Sequence, residues 1–453
     1  MAVATESMHG MWSSRLMFIL AASGSAVGLG NIWRFPYVAG ENGGGAFVLV
    51  YLGCIALIGL PIMMSEILLG RAGRQSPINS MIELTARSKA HPAWQSVGWL
   101  GAASGFVILS FYGVIAGWAM YYVITTAAGT FTGADAALAT STFDGFTGSA
   151  VQVVFWQTLF MMLTTFIVAR GVGEGLETTV KYLMPMLFIL LIVLMAYAAI
   201  TTGHFLQAVD FLFSFNVEKL SWNGVLMAVG QAFFTLSLGM GAIMAYGSYM
   251  PRDASIPGTA TTIALLDTSV ALMSGLVIFP LVFANGLEVS QGPGLMFVTL
   301  PLAFGQMAGG QVFGTIFFVL VTFAAITSSI SLVEPAVAWL VERANLNRIA
   351  AAVSVGGLAW LIGLGSALSF NLWDEVTLLG DLTIFSTMDF VANNIMLPLG
   401  GMLIALFAGW FIDQQISRQE LSHLGATAFG IWRFLARFIA PAAVFVVFIM
   451  TFV

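Results

Sequence analysis

Long apolar segments recur along most of the chain, and each has about 20 residues or more, enough to span a bilayer as a helix. A segment in lipid must satisfy its own backbone hydrogen bonds, so these segments are predicted to be helical. We predict eleven transmembrane helices, at about residues 14–38, 44–70, 96–126, 151–170, 178–203, 223–249, 258–286, 311–342, 348–369, 383–412 and 430–452. Only 8% of the residues are charged, and no low-complexity linker divides residues 1–453. The chain is therefore predicted to be one all-α membrane domain.

The basic residues predict the orientation of these helices. With the N-terminus in the cytoplasm, Arg34 and Lys219 are the only two of the 15 Lys and Arg residues that fall on the outer side. Basic loops stay in the cytoplasm. We therefore expect a multi-pass protein of the cell inner (plasma) membrane, with its N-terminus inside and its C-terminus outside. Two outer loops are substantial, at residues 130–150 and, as an apolar, lid-like segment, at residues 286–307.

The first apolar segment is interrupted near its middle by small residues. The stretch Ala21–Pro36 contains Gly24, Gly28 and Gly30, and an unwound hinge is predicted at Ser25–Leu29. Backbone freed in this way within a membrane must face protein, water or a ligand. A similar interruption, Phe233–Gly241, lies in the sixth segment.

The two interruptions are separated by four intervening spans. Two sets of five spans, each opening with a broken helix, indicate an inverted-repeat secondary transporter, with repeats at about residues 14–203 and 223–412 and an extra helix at about 430–452. A membrane enzyme is disfavoured, because the four His residues lie near segment ends or in loops and Cys54 is the only cysteine. Neither a metal centre nor a nucleophilic dyad is expected, and nothing indicates a nucleic-acid partner.

Several motifs give the chain a resemblance to a known family. They are WSSRL at Trp12–Leu16, ENGGGAF at Glu41–Phe47, GQAFFTLSLGMGA at Gly230–Ala242 and TSSIS at Thr327–Ser331, besides the stretch from Gly24 to Arg34. With these motifs the chain resembles the neurotransmitter:sodium symporter family, and its length is similar to the bacterial eleven-helix branch. The resemblance implies the LeuT-like fold, two bound sodium ions, and hydrophobic amino acids as substrates.

The family's binding residues can be transferred to this sequence position by position. The resemblance implies a first sodium site formed by Ala26, Asn31, Thr235 and Asp267, to which the substrate carboxylate adds a ligand, and a second formed by Gly24, Val27, Ala324, Thr327 and Ser328. Hydroxyls such as those of Thr327 and Ser328 can instead bond to their own helix. The implied substrate pocket consists of Ser25, Ala26, Leu29, Gly30, Ile108, Tyr112, Phe234, Thr235, Ser237, Met240, Ser328 and Leu332.

Asp267 departs from the family, whose members commonly have Asn there and, when chloride-dependent, a Ser at the position of Ala271. A fixed carboxylate beside a cation could replace chloride, so we expect chloride independence. Two alternatives stay open. If Asp267 is protonated, the protein would be a proton-coupled carrier. If Asp267 instead lies near the end of its span, it would be an ordinary carboxylate at the membrane interface.

The resemblance also implies gates and a hinge. Arg34 and Asp389 form the expected outer gate, with Asp381 as an alternative partner, and Trp12, Tyr249 and Glu342 form the expected inner latch. His9, where the family has Arg, is either the basic partner of that latch or a solvated residue of the N-terminal tail. Gly175 and Pro185 have the spacing that the family associates with local unwinding of the fifth span, although an ordinary proline kink would also explain them.

These observations predict a sodium-coupled symporter that imports neutral hydrophobic L-amino acids, aliphatic and possibly aromatic, by alternating access. A proton-coupled amino-acid carrier and a non-transporting amino-acid sensor on the same fold are the alternatives. The expected partners are the amino acid and the lipid bilayer, and the sequence does not indicate an oligomeric state.

Overall fold

The computed structural model describes residues 8–215, 220–287 and 294–450, and the chain is almost wholly helical. The helices of the first half are α1 (Arg15–Ala26), α2 (Phe35–Glu41), α3 (Gly45–Cys54), α4 (Leu60–Gly73), α5 (Pro77–Arg87), α6 (Ser96–Ala127), α7 (Ala136–Thr147), α8 (Ala150–Ala169), α9 (Thr178–Thr201) and α10 (Phe205–Phe213). Those of the second half are α11 (Trp222–Thr235), α12 (Ala242–Ser248), α13 (Ile256–Ala284), α14 (Leu300–Gly305), α15 (Gly310–Ala344), α16 (Arg348–Leu368), α17 (Ile384–Phe390), α18 (Leu397–Leu406), α19 (Gln414–Glu420), α20 (Ala426–Phe434) and α21 (Ala440–Met450).

Short π-helical and 3₁₀ segments join several of these helices into longer ones. The π-helical segments are Gly30–Arg34, Ile55–Gly59, Val172–Glu177, Leu295–Thr299, Val391–Met396, Phe407–Phe411 and Leu435–Ile439, and Pro92–Gln95 is a 3₁₀ turn. One small hairpin pairs β1 (Thr377–Leu379) with β2 (Leu382–Thr383). Asp381 is exposed in the turn of this hairpin.

The number of spans agrees with the prediction except at the sixth segment. Within the described ranges, nine helices are long and apolar enough to cross a membrane, and Arg15–Ala26 with Gly30–Glu41 adds a tenth as a bent pair. The segment predicted at residues 223–249 forms the two shorter helices α11 and α12, neither of which is long enough alone. The number of eleven transmembrane helices therefore stays a prediction, because the sixth segment does not form one long helix.

The first span is broken where the glycines indicate. Helix α1 ends at Ala26, Val27 takes an extended conformation (φ −71°, ψ 103°), and the chain resumes as a helix from Leu29 at an angle of 55°. The break is thus narrower than the predicted hinge, because Ser25 and Ala26 keep helical geometry. Gly28 stands at the corner, where an added Cβ would lie 3.3 Å from Tyr112 Oη.

The second break separates α11 from α12 and uses left-handed backbone. Ser237, Gly239 and Gly241 have φ values of 53°, 81° and 73°. A positive φ is unfavourable for serine, and such strain persists only where surrounding contacts fix it. Ser237 Oγ donates to the carbonyl of Ser25 (2.8 Å), so one break is bonded directly to the other.

Helices α6 and α15 pack against each other along most of their length beside the two breaks. Helix α13 packs against α1 and against the π-helical segment Gly30–Arg34, and α4 packs against α12. Gly105 of α6 lies so close to α15 that an added Cβ would stand 3.1 Å from the Leu332 carbonyl oxygen. Small residues of this kind let membrane helices approach closely, which brings the middles of α6 and α15 next to the breaks.

The two predicted outer loops contain helices. Most of residues 130–150 forms α7, and Leu295–Gly305 forms a short apolar helix with a buried surface, which agrees with a packed, lid-like segment. The start of that segment, at residues 288–293, lies outside the described residues, and so does Lys219.

Candidate functional site

A small cavity lies between the two helix breaks and is closed on its sides by α6 and α15. Eleven of the twelve residues predicted for the substrate pocket line it, and Gly28 is the one lining residue that the prediction missed. Thr235 does not line it and instead points toward Asp267. The lining set is Ser25, Ala26, Gly28, Leu29, Gly30, Ile108, Tyr112, Phe234, Ser237, Met240, Ser328 and Leu332.

The polar groups of the cavity cluster at the first break. A helical stretch begins here at Leu29, and the first N–H groups of a helix have no carbonyl partner within it. The Tyr112 hydroxyl is buried and makes no hydrogen bond of good geometry in the described part of the chain, although Ser328 and the Leu29 backbone lie within its reach. A helix N-terminus together with a hydroxyl beside it can bind a carboxylate.

Asn31, Thr235 and Asp267 form a buried oxygen-rich cluster beside this cavity. Asn31 Nδ2 donates to Asp267 Oδ1 (2.7 Å) and Thr235 Oγ1 (2.8 Å), and Thr235 Oγ1 donates to Asp267 Oδ2 (2.9 Å). All three residues have no exposed surface. Asp267 stands well inside α13, so the interpretation of an interfacial carboxylate does not agree with its position. Ala26, the fourth predicted member, ends α1 nearby.

A second group of oxygens lies where α15 meets the end of α1. Ser328 Oγ is 3.4 Å from the Gly24 carbonyl oxygen, 3.3 Å from that of Ser25 and 3.4 Å from that of Val27. Thr327 Oγ1 bonds to its own helix, at the carbonyls of Phe323 and Ala324 (3.2 and 3.1 Å). The structure therefore brings the five predicted residues of this site together. The Thr327 hydroxyl bonds to its own helix, as the alternative interpretation of this residue expected.

On the side predicted to face outward, a vestibule of about 260 Å³ lies next to the cavity and shares Leu29, Tyr112 and Phe234 with its lining. Arg34 and Asp389 also line this vestibule. In the described ranges no ion pair within 4.0 Å joins these two residues. The Arg34 guanidinium lies over the Phe234 ring, 4.7 Å from its centre, and Asp389 Oδ1 accepts a bond from Asn393 (2.7 Å). Arg34 and Asp389 thus line the same vestibule without forming an ion pair, and their role as the outer gate stays a prediction.

The side predicted to face the cytoplasm is closed by a compact group of side chains. The Trp12 indole donates to the Tyr246 carbonyl (3.0 Å) and packs against Tyr249. His9 Nε2 lies 2.9 Å from Glu342 Oε1, and both side chains are nearly inaccessible, with exposures of 2% and 4%. His9 is therefore part of this group, and the interpretation as a solvated tail residue is wrong. Glu342 also accepts bonds from Ser76 and Asn79.

A buried ion pair beside this latch was missed. Arg348 Nη2 lies 2.5 Å from Glu334 Oε2, and the Tyr249 hydroxyl donates to Glu334 Oε1 (2.6 Å). Glu334 stands inside an apolar segment, and that position was a usable signal for a buried partner. Nearby, Arg74 donates to the carbonyls of Ser248 and Met250, and burial lowers the pKa of Arg74 to about 10. Arg74 therefore keeps its charge at neutral pH.

Glu66 is a second missed residue with a contact at the site. It is fully buried in α4, and its Oε1 accepts a bond of 2.6 Å from the Gly239 N–H in the second break. Because a buried carboxylate is costly, such a residue in an apolar span usually has a function. Here the bond satisfies one N–H that unwinding releases.

Gly175 and Pro185 lie in the fifth span as predicted. Gly175 belongs to the π-helical segment Val172–Glu177, which follows Gly171 (φ 92°), and Pro185 lies inside α9. π-Helical turns are often found at functional sites. The span is helical from Val172 to Thr201, so unwinding between these residues stays a prediction.

Comparison with known proteins places this geometry in a family. The family model described as the sodium:neurotransmitter symporter family matches residues 9–142 and 140–453. The chain belongs to the sodium:neurotransmitter symporter family. It is thus a membrane transporter that depends on sodium, and the family is one of transporters rather than enzymes.

Two proteins described as uncharacterised sodium-dependent transporters are similar to this chain over nearly their whole length. YhdH of Bacillus subtilis is 39% identical, with 98% of both chains covered, and a protein of Haemophilus influenzae is 33% identical, with 97% of both covered. Among solved structures, MhsT in complex with L-phenylalanine has a TM-score of 0.89 and 46% identity, and the match covers 97% of this chain and 99% of that one. The fold is therefore the LeuT-like fold of this sodium symporter family.

Proposed function

We propose that this sodium-dependent transporter is a symporter that imports neutral hydrophobic L-amino acids. The observation that supports this proposal most strongly is the cavity between the two breaks, because eleven residues chosen from the sequence line it together. The solved relative MhsT was crystallised with L-phenylalanine, which makes an amino-acid substrate the natural first candidate.

The substrate carboxylate is proposed to bind at the first break. The N–H groups of Leu29 and Gly30 begin a helix there and carry the positive end of its dipole. Tyr112 Oη, which lies near the Leu29 backbone and makes no hydrogen bond of good geometry in the described residues, is the third donor. The substrate ammonium group would bind to carbonyl oxygens of the second break, where backbone acceptors are free of helix bonds.

The rest of the cavity favours an apolar side chain. Ile108, Phe234, Met240 and Leu332 line it, and within the described part of the chain none of its lining residues is charged. A charged substrate side chain would lose its hydration there without gaining a partner. The cavity measures only about 30 Å³, so its walls must move to admit a bulky side chain such as that of L-phenylalanine. Met240 is suited to this because its side chain is unbranched and flexible.

Two sodium ions are proposed to travel with the substrate. The first would bind Ala26, Asn31, Thr235 and Asp267 together with the substrate carboxylate, and the second Gly24, Val27, Ala324, Thr327 and Ser328. A shared carboxylate makes the coupling reciprocal, since each ligand must raise the affinity of the other by the same factor. The charge of Asp267 supports chloride independence, as no further anion is then required.

Transport is proposed to proceed by alternating access within one domain of two inverted repeats. Arg34 and Asp389 would close the outer vestibule, while Trp12, Tyr249 and Glu342 would release the inner side. The N-terminus would lie in the cytoplasm, and the protein would stand in the plasma membrane. Each net positive charge that moves inward then gains about 2.3 kcal/mol per 100 mV of membrane potential.

The test is uptake of labelled L-phenylalanine into proteoliposomes, with a panel of unlabelled amino acids as competitors. We expect sodium-dependent uptake that leucine, methionine and tryptophan inhibit and that aspartate and lysine do not. Uptake driven by a pH gradient in sodium-free buffer would instead support a proton-coupled carrier. Saturable binding without uptake would support a sensor on the same fold.

A further inference from the structure

Two arginines of the last helix meet at one carbonyl of a neighbouring helix. Arg433 and Arg437 are four residues apart, so they lie on the same face of the continuous helix Ala426–Met450. Arg437 Nε donates to the Gly409 carbonyl oxygen at 2.5 Å, and Arg433 Nε donates to the same oxygen at 3.4 Å. Each guanidinium carries several N–H donors, so this one oxygen satisfies only a small part of them.

Three positive charges gather at this place. Arg418 of α19 is the third, and its charge repels that of Arg433. Among the described residues, no carboxylate lies within 4.0 Å of any of the three guanidinium groups. Glu420, at the end of α19, is paired with Arg71 instead. Like charges four residues apart destabilise a helix, so an anion bound to this arginine cluster (residues 418, 433 and 437) would be stabilising.

An exposed strip of aromatic rings continues from the arginine cluster. The Arg437 guanidinium lies over the Trp410 ring, 4.5 Å from its centre. Phe438 packs against Trp410 with 5.2 Å between ring centres, and Phe434 packs against Phe438 with 5.4 Å. All three rings are about half-exposed. We call Trp410, Phe434 and Phe438 the aromatic strip.

The arginine cluster and the aromatic strip lie at the level expected for lipid headgroups. Gly409 belongs to Phe407–Phe411, the last segment of its span, at the end that the basic residues predict to be cytoplasmic. Tryptophan is enriched at this level of membrane proteins. A surface with cations at one end and exposed apolar rings beside them suits a molecule that has an anionic head and apolar chains.

Snorkelling alone does not explain this arrangement. An arginine that only extends from lipid to water needs no fixed partner, and neighbouring arginines can then spread apart. Here the Nε atoms of Arg433 and Arg437 are bonded to one oxygen, which holds two like charges together despite their repulsion. Guanidinium groups bind phosphate oxygens through paired N–H bonds.

We propose that the arginine cluster binds the phosphate group of an anionic phospholipid, whose acyl chains lie along the aromatic strip. Basic groups between membrane helices on the cytoplasmic side bind headgroups of this kind. The bound lipid would neutralise the repulsion among the arginines and strengthen the contact between the last helix and the span that contains Gly409. The site is independent of the transported substrate, so it goes beyond the proposed function.

The test measures the binding of phosphatidylglycerol to the purified full-length chain in a neutral detergent by native mass spectrometry. Phosphatidylcholine with the same acyl chains is the comparison lipid, and we expect it to bind more weakly. The double variant Arg433→Gln, Arg437→Gln should bind phosphatidylglycerol about 25-fold more weakly, since each basic residue near an anionic lipid surface contributes about fivefold. Arg170→Gln is the matched control, because Arg170 is an exposed arginine at the same predicted side of the membrane. It should bind phosphatidylglycerol as the unmodified chain does.

Arg418→Gln covers the case in which the double variant folds poorly. It leaves both bonds to the Gly409 carbonyl in place, and it should weaken phosphatidylglycerol binding about fivefold. Inorganic phosphate at the same concentration should not displace the lipid, because it makes no contact with the aromatic strip.

Three results would overturn the inference. They are equal affinity for the two lipids, unchanged phosphatidylglycerol binding in the folded arginine variants, and displacement of the lipid by inorganic phosphate, which would indicate a site for free anions. None of these measurements uses amino-acid uptake, so they give the same answer whether or not the proposed function is correct.

Discussion

Neutralising Asp267 by Asp267→Asn is the most informative single change, because it removes one charge and almost no volume. The carboxylate accepts bonds from Asn31 and Thr235 at 2.7 and 2.9 Å. An amide can keep both contacts, since its oxygen accepts from Asn31 while its nitrogen donates to Thr235. The protein should therefore fold normally, and the loss should concern cation binding alone.

The expected loss of sodium affinity follows from the distance between the bound cation and the Asp267 carboxylate. A cation held by Thr235 Oγ1 would stand on the order of 4 Å from the Asp267 charge, where an attraction of about 4 kcal/mol is expected at an effective dielectric constant near 20. Part of this attraction is kept in Asp267→Asn, because the amide oxygen still carries a partial negative charge that faces the cation. A loss of about 1.4 to 4 kcal/mol is expected, which raises the half-saturating sodium concentration about 10- to 1,000-fold.

The assay is uptake of L-phenylalanine into proteoliposomes at graded sodium, in chloride and in gluconate buffers. Chloride should partly restore the Asp267→Asn variant and leave the unmodified chain unaffected. Asp374→Asn is the control, as Asp374 is an exposed carboxylate outside the helical bundle. Unchanged sodium half-saturation and unchanged flux in Asp267→Asn would remove this residue from the sodium site.

Three further changes test other parts of the account. Gly30→Ala should abolish uptake, because its Cβ would stand 2.7 Å from the Phe234 ring; normal uptake would contradict the close approach of the two breaks. Tyr112→Phe should weaken L-phenylalanine binding about tenfold, the effect of losing one hydrogen bond to a charged group, and unchanged affinity would exclude the hydroxyl from carboxylate binding. Arg348→Met should lower the free energy of unfolding by about 3–5 kcal/mol, because Glu334 is left buried and unpaired; Arg348→Met with Glu334→Leu should regain most of it in denaturation experiments.

The helix breaks were the most predictable part of the structure. Glycine clusters in otherwise apolar spans indicated both of them, because helix-breaking residues are tolerated in lipid only where backbone groups find other partners. The extent of the first break was less predictable. Ser25 and Ala26 remain helical, and the local sequence does not show at which residue the helix bonding stops.

The side chains that support the site were harder to predict. Glu66 and Glu334 could have been found, since each is an acidic residue within an apolar span. The pairing of Glu334 with Arg348, and of His9 with Glu342, depends on how distant segments pack. Helical periodicity describes one helix at a time, so it cannot show that residues 333 positions apart in sequence meet, as His9 and Glu342 do.

The central claim is that one carboxylate-containing ligand and sodium bind together at the two breaks. Equilibrium binding of labelled L-phenylalanine to the purified protein, measured at graded sodium with potassium as the balancing ion, tests it most directly. We expect sodium to raise the affinity for L-phenylalanine, and L-phenylalanine to raise the affinity for sodium by the same factor. Equal L-phenylalanine affinity in sodium and potassium buffers would contradict the account.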